Sequence, residues 1–231
     1  MNDTRTRDAA EPAASTVDAP SYGAGELAYA LSLAEGPARA QAEKMLQVKP
    51  GFVTDQTAAL GASSLVARGE LTVDGDVLEP RGGIRLLIAA IQTAVRWTEI
   101  AMMNEGDVEA AVYLQTPGLS MLLSPAAMST WTMVVRAPAY TDAQFLARLV
   151  TDNAARHPLG TAYFGTEVPG SPKHHLFVRP SAAPDPFGRR WDLADAEAPG
   201  DGRSDDVGDA ALLDRLAAFV ALPDLPAPPA A

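Results

Sequence analysis

Apolar positions recur along this chain first at helical and then at strand spacing, and the change divides it. Leu27, Leu31 and Ala34, with Tyr29 and Leu33 beside them, predict a helix beginning near Gly25. Gly36-Pro37 punctuates it, because a proline disfavours the α conformation in the residue before it. A second helix is expected over 38–48, stopped by Pro50-Gly51. A third follows over 54–67, with Thr54 or Asp55 as N-cap and Leu60, Ser64 and Leu65 on one side. Arg68-Gly69 reads as its end, since glycine accepts the left-handed conformation after a C-cap. The run 71–78 then places two short β-prone stretches around Asp74-Gly75, a strong local hairpin signal. Helix, glycine and small hairpin together give a winged-helix-like outline.

The clearest helix comes next. Ile84, Leu87, Ile88, Ile91 and Val95 form one apolar stripe between residues 83 and 96. Strand signals follow at 97–103, 108–115, 119–123 and 129–137, with turn residues at Asn104, Glu105, Gly106 and Asp107. Such short spacing predicts an antiparallel meander, because parallel neighbours need long crossovers. Pro138 ends the last strand, and Thr141-Asp142 opens a helix whose apolar face holds Phe145, Leu146, Leu149 and Val150. Beyond His157-Pro158 the signal thins to short stretches at 161–164, 174–178 and 190–193.

The expected fold is α+β: an antiparallel meander sheet flanked by helices, with a winged-helix-like N-terminal helical part. Its expected organisation is a disordered tail (1–22), a main α+β domain (23–157), an irregular strand-containing extension (158–194), an acidic linker (195–208), a C-terminal helix (209–222) and a Pro-rich tail (223–231). Seven acidic residues and one arginine between Asp192 and Asp209 motivate the linker, and Leu212, Leu213, Leu216, Phe219 and Val220 the last helix.

Charge and composition remove several classes of partner. Net charge is −11, with no window rich in Lys or Arg, so nucleic acid and anionic lipid surfaces are poor partners. There is no cysteine, which removes disulfides, thiolate nucleophiles and thiolate metal sites. No signal peptide and no membrane-length apolar run is visible, and the expected compartment is the cytoplasm.

Candidate chemistry is sparse. The neighbours His174 and His175 in a strand point to opposite faces and do not chelate one ion. His157 sits where it caps a helix. Gly118-Leu119-Ser120 lacks the second glycine of a nucleophile elbow. Gly82-Gly83 before a helix lacks the remainder of a dinucleotide or P-loop fingerprint. Glu99 and Glu109 are placed to face each other across a hairpin, and with His174 or His175 they define an alternative in which the chain is an enzyme. A winged-helix regulator is a further alternative, but the 54–67 helix carries Asp55 and no Lys or Arg.

No catalytic group, cofactor site or metal site is therefore assigned. The candidate surface is one for a protein partner: Trp97, Met102, Tyr113, Met121, Met128 and Trp131, in a stretch where methionines concentrate. Methionine adapts to irregular surfaces and aromatic residues anchor interfaces. Most of this set is expected to fill the core beneath the sheet, leaving the rest as a binding face.

Between about Leu60 and Val150 the order of features resembles the EspG family, cytosolic chaperones of actinobacterial type VII secretion. The residues that carry the resemblance are Leu65-Val66-Ala67-Arg68-Gly69, Asp74-Gly75, Leu78-Glu79-Pro80, the stripe from Ile84 to Val95, Trp97-Thr98-Glu99-Ile100 and the strands up to Val135. The Ala/Pro/Asp-rich, cysteine-free composition also suits a high-GC actinobacterium. The resemblance implies two related halves around a shared sheet, and a non-enzymatic chaperone that keeps a helical, secretion-bound partner soluble. The second half here is thinner in strand signals and broken by prolines.

Overall fold

Strand alternation decides the architecture, because β4 (Arg96–Asn104) sends apolar side chains to both of its faces. The structure, a computed structural model, describes residues 19–75, 77–167, 172–182, 188–196 and 203–222. Before β4 come β1 (Ser21–Gly23), α1 (Ala24–Ser32), α2 (Gly36–Met45), α3 (Asp55–Ala67), β2 (Leu71–Asp74), β3 (Val77–Pro80) and α4 (Gly82–Thr93). After it come β5 (Asp107–Gln115), β6 (Ser120–Ala126), β7 (Thr130–Val135), α5 (Asp142–Arg156), β8 (Thr161–Glu167), β9 (His174–Pro180), β10 (Arg190–Ala196), β11 (Arg203–Gly208) and α6 (Asp209–Phe219).

Nine strands form one antiparallel sheet in the order β1-β7-β6-β5-β4-β8-β9-β10-β11, and β2 and β3 make a separate hairpin. The fold is mixed α+β with an antiparallel meander. The sheet contains two successive meanders, β4 to β7 and β8 to β11, each followed by a helix. They join where β4 pairs with β8, from Trp97↔Glu167 to Met103↔Thr161. The strand order therefore runs outward from that junction in the same sequence on both sides, β4-β5-β6-β7 and β8-β9-β10-β11.

Each face has its own helical layer. Trp97, Val112, Leu114, Met121, Leu123 and Met133 pack against α1, α2, α3 and α4. Ile100, Met102, Tyr113, Leu122, Phe164, Leu176, Val178 and Trp191 pack against α5 and α6 on the opposite face. The halves are therefore covered unequally, and Tyr163, His175 and Phe177 on the first face stay partly exposed.

Buried polar contacts fasten the helical part. Arg68 of the Leu-x-x-Arg-Gly segment donates to the buried Glu26 (2.9 Å) and to Glu70 (3.0 Å). Glu70 in turn accepts from Tyr22 Oη (2.8 Å) and from the backbone N–H of Ile84 (2.9 Å), at the start of α4. On the other face Tyr113 donates to Asp142 Oδ1 (2.6 Å), which Arg136 also approaches at 2.8 Å. Gln115 donates to Asp142 (3.1 Å) and to the carbonyl of Val220 (3.1 Å), so one glutamine ties β5 to the first turn of α5 and the end of α6.

Several expectations change. β1 begins within the expected tail, at Ser21 and Tyr22, and pairs with β7, with Tyr22 opposite Trp131 and fully buried; residues 1–18 lie outside the described residues. The expected irregular extension is regular and part of the main sheet, because its strand signals become β8, β9 and β10 in continuous register with β4. Part of the expected linker is β11, paired with β10 from Arg190↔Gly208 to Asp195↔Arg203. Acidic composition misled there: Asp206 pairs with Arg190 at 2.8 Å on a solvated strand, where charge is no bar to backbone pairing. Residues 197–202 and the expected Pro-rich tail from 223 lie outside the described residues.

The face of α3 also differs. Leu60 is 66% exposed, while Ala58, Gly61, Ala62 and Leu65 are buried. The cause is backbone proximity, since a Cβ on Gly61 would lie 1.8 Å from the carbonyl oxygen of Gly25 in α1. Small residues, rather than large apolar ones, form this helix contact. Gly61→Ala should therefore cost at least about 3 kcal/mol, while Leu60→Ala should stay within about 0.5 kcal/mol. Urea midpoints of the two variants at unchanged m-value check this.

Two buried phenols set an alkaline limit. Burial, then hydrogen bonding to Glu70 and its charge, push Tyr22 well above its ordinary value of 10.0. Burial, then Asp142 acting in the same way, raises Tyr113 further. A group whose pKa is raised on folding stabilises the protein fully below its unfolded value and progressively loses that contribution above it. Stability should therefore fall as pH rises above about 10. Tyr113→Phe should cost about 1.5 kcal/mol at pH 7 and make the fall shallower, as read from urea midpoints between pH 7 and 11.

Candidate partner-binding groove

Burial removes four of the six expected surface residues. Trp97 (2% exposed), Met102 (7%), Tyr113 (0%) and Met121 (0%) are core. Most of the set is expected to fill the core, and these four do, so none of them can form the binding face. In a half-solvated meander alternate residues would face water, but these central strands carry a helical layer on both sides. Met128 is 93% exposed, at the tip of the β6–β7 connection. Trp131 on β7 is half-buried and lines a groove on the bundle side of the sheet.

That groove has two connected hollows. One, of about 450 Å³, lies between Leu27 and Leu31 of α1, the segment Leu46 to Phe52 after α2, and Ser129 to Trp131. The other, of about 310 Å³, lies over Ala101, Ala110 and Val112 of the sheet, between Lys44 and Tyr163. Gln47, Pro125 and Trp131 line both. The walls of the first are mainly apolar, with Lys49 at its rim.

The backbone around the groove is strained. Gln47 (φ 52°), Met128 (φ 59°) and Ser129 (φ 56°) are the non-glycine residues with positive φ among those described; Gln47 and Ser129 line the first hollow, and Met128 precedes Ser129 in the β6–β7 connection. After α2 the N–H of Val48 bonds the carbonyl of Glu43 (2.8 Å) and the N–H of Gln47 that of Lys44 (3.1 Å). These are the bonds of a Schellman motif, whose left-handed position is usually glycine. Here it holds glutamine, at a cost of about 1 kcal/mol. No glycine marks residue 47, so periodicity and punctuation place the stop at Pro50-Gly51 instead.

The two carboxylates of the enzyme alternative do not converge, although Glu99 and His175 share one face of the sheet in the register Glu99↔Gly165↔His175. Glu99 lies opposite Val112 and Glu109 opposite Met102, so the two acids stand on opposite faces instead of across from each other. Glu99 is bonded to Lys173, and Glu109 is 3.8 Å from Arg156. His175 Nδ1 is 2.9 Å from Tyr163 Oη, while His174 is exposed and in the alternating position. Burial lowers the Lys173 pKa, but the Glu99 carboxylate outweighs it and holds it above 10.5. Burial raises that of Tyr163. The lysine stays protonated and the phenol neutral at pH 7, and neither is prepared to act as a base.

No protein-family model matches the sequence, and no curated protein is significantly similar to it. Among the described residues, no helix is long and apolar enough to cross a membrane.

If the strain at residue 47 serves the groove, relieving it should stabilise the fold. Gln47→Gly is expected to raise stability by about 0.5–1 kcal/mol in urea unfolding, the reverse of the usual glycine substitution in a helix.

Proposed function

We propose that this chain is a cytoplasmic, non-enzymatic binding protein of the EspG-like, type VII secretion-associated kind, holding a helical partner in the groove beside Trp131. The observation that carries the reading is the groove itself. Leu27, Leu31, Leu46, Val48, Phe52 and Trp131 offer an apolar trough at the surface, bordered by residues kept in unfavourable backbone conformations. A trough of this size takes the anchoring side chains of one amphipathic helix, spaced at i, i+3 and i+4. The sheet supports the reading too, since its two meanders agree with the two related halves that the resemblance implies.

Trp131 is the expected anchor of such an interface, being aromatic, half-buried and common to both hollows. The tagged chain, co-expressed with the small helical secretion substrates encoded nearest to it in its own genome, should elute with one of them as a stable complex. Trp131→Ala should weaken that complex at least tenfold, about 1.4 kcal/mol or more, while the variant stays folded. No complex with any of these substrates, or equal affinity in the variant, would count against the proposal.

A further inference from the structure

Strand β5 has a partner along its whole length on one side only. It pairs with β4 from Asn104↔Asp107 to Arg96↔Gln115, but with β6 only from Val112↔Leu123 to Gln115↔Ser120. Continuing that second register would set Ala110 opposite Pro125. The carbonyl of Leu119 bonds Thr116 at the end of β5, while that of Ser120 bonds Arg136 beyond β7, so odd-numbered residues of β6 turn their main chain toward β5. Pro125 is odd-numbered and has no N–H to give. The ladder stops there. Ser124, Pro125 and Ala126 continue with β7 alone, and Asp107–Ala111 faces a notch inside the sheet.

On the notch side, the main-chain groups of Val108 and Ala110 have no strand partner among the described residues; Val108 N–H turns back to Asp107 Oδ1 at 2.8 Å. A hollow flanks the notch on each face of the sheet. On the bundle face is the one of about 310 Å³, floored by Ala101 and Ala110 and walled by Trp131 and Tyr163. On the other face, about 420 Å³ lies between Met102, Leu122 and Leu149. Ala110, Ala111 and Pro125 line both. The β4–β5 tip beside it carries Glu105, Asp107 and Glu109, with Arg156 as the nearby cation.

We infer that this notch is a β-augmentation site: an extended segment of a partner chain, about five residues long, adds to the free edge of β5. Main-chain bonds to Val108 and Ala110 hold it. Successive side chains of a strand point to opposite faces, so alternate small apolar residues enter the two hollows. The acidic tip selects lysine or arginine at the end that passes it. The ligand is thus an apolar strand with a basic end, and the site does not depend on the helix-binding reading proposed above.

The capped heptapeptide Lys-Val-Ala-Val-Ala-Val-Lys serves as the probe, with amide hydrogen exchange on the full chain as the readout. It should slow exchange at Ala110 at least tenfold. The same peptide N-methylated at alternate amides should have no effect, since it cannot form the edge bonds, and a version flanked by glutamate should bind at least fivefold more weakly. Ala110→Pro, which removes an edge N–H but no bond to β4, should abolish binding; should that variant not fold, the N-methylated peptide on the native chain decides the matter. No slowing, equal slowing by the N-methylated peptide, or slowing confined to the residues around Phe52 would overturn the inference. Protection that appears without peptide and grows with protein concentration would assign the edge to a second copy, and would overturn it too. The bundle-face hollow shares Trp131 with the groove proposed above, but exchange at Ala110 reports the strand edge and the Trp131→Ala complex assay the groove wall, so either can fail alone.

Discussion

The pairing of β4 with a strand on each side holds the molecule together. Its β5 edge begins one meander and its β8 edge begins the other, so the halves meet only as closely as β4 allows. The same strand sends Trp97 into the helical bundle and Ile100 and Met102 toward α5 and α6. Being covered on both faces and both edges, it leaves no freedom of register, because a slip of one residue would exchange the two apolar sets. Arg96 and Gln115, facing each other at its end, donate to the carbonyls of Phe219 and Val220 and so tie the close of α6 to the centre of the sheet.

Away from that spine the sheet relaxes, and this is where surface chemistry collects. Pro125 ends the β5–β6 ladder, the β6–β7 connection takes two consecutive left-handed residues, and the segment after α2 takes a third. Such features cost stability, and they persist where the surrounding structure fixes them. The rigid part of the fold thus presents a trough beside Trp131 and a free strand edge at Ala110, two surfaces with different demands. A trough with apolar walls suits side chains of a helix, whereas an edge suits main chain.

The chain's three lysines, Lys44, Lys49 and Lys173, all lie on or beside the bundle face of the sheet. Lys44 bridges to Glu167 at 2.7 Å and Lys173 bonds Glu99, so on the half of that face that no described helix covers, paired charges stand beside the partly exposed Tyr163, His175 and Phe177. Pairing at the surface adds little stability.

By itself the sequence determined the local elements whose signal is local. The stripe from Ile84 to Ile91 dictates α4, Thr54 and Thr141 cap α3 and α5 through their own hydroxyls, and Asp74-Gly75 turns a hairpin. Turn residues near 104–107 likewise gave the antiparallel meander and hence the fold class. Only the tertiary structure decided which residues face water. Leu60 is exposed because two glycine backbones need the contact surface; Met121 is buried because helices cover both faces; Tyr22 and Asp206 lie in strands because distant partners offer them hydrogen bonds. Of the six candidate site residues, Met128 and Trp131 alone reach the surface, and only Trp131 lines the groove, which Gln47 and Pro125 help to complete. Periodicity reports which positions share a face. What covers that face depends on residues far away in the chain, and no local pattern records it.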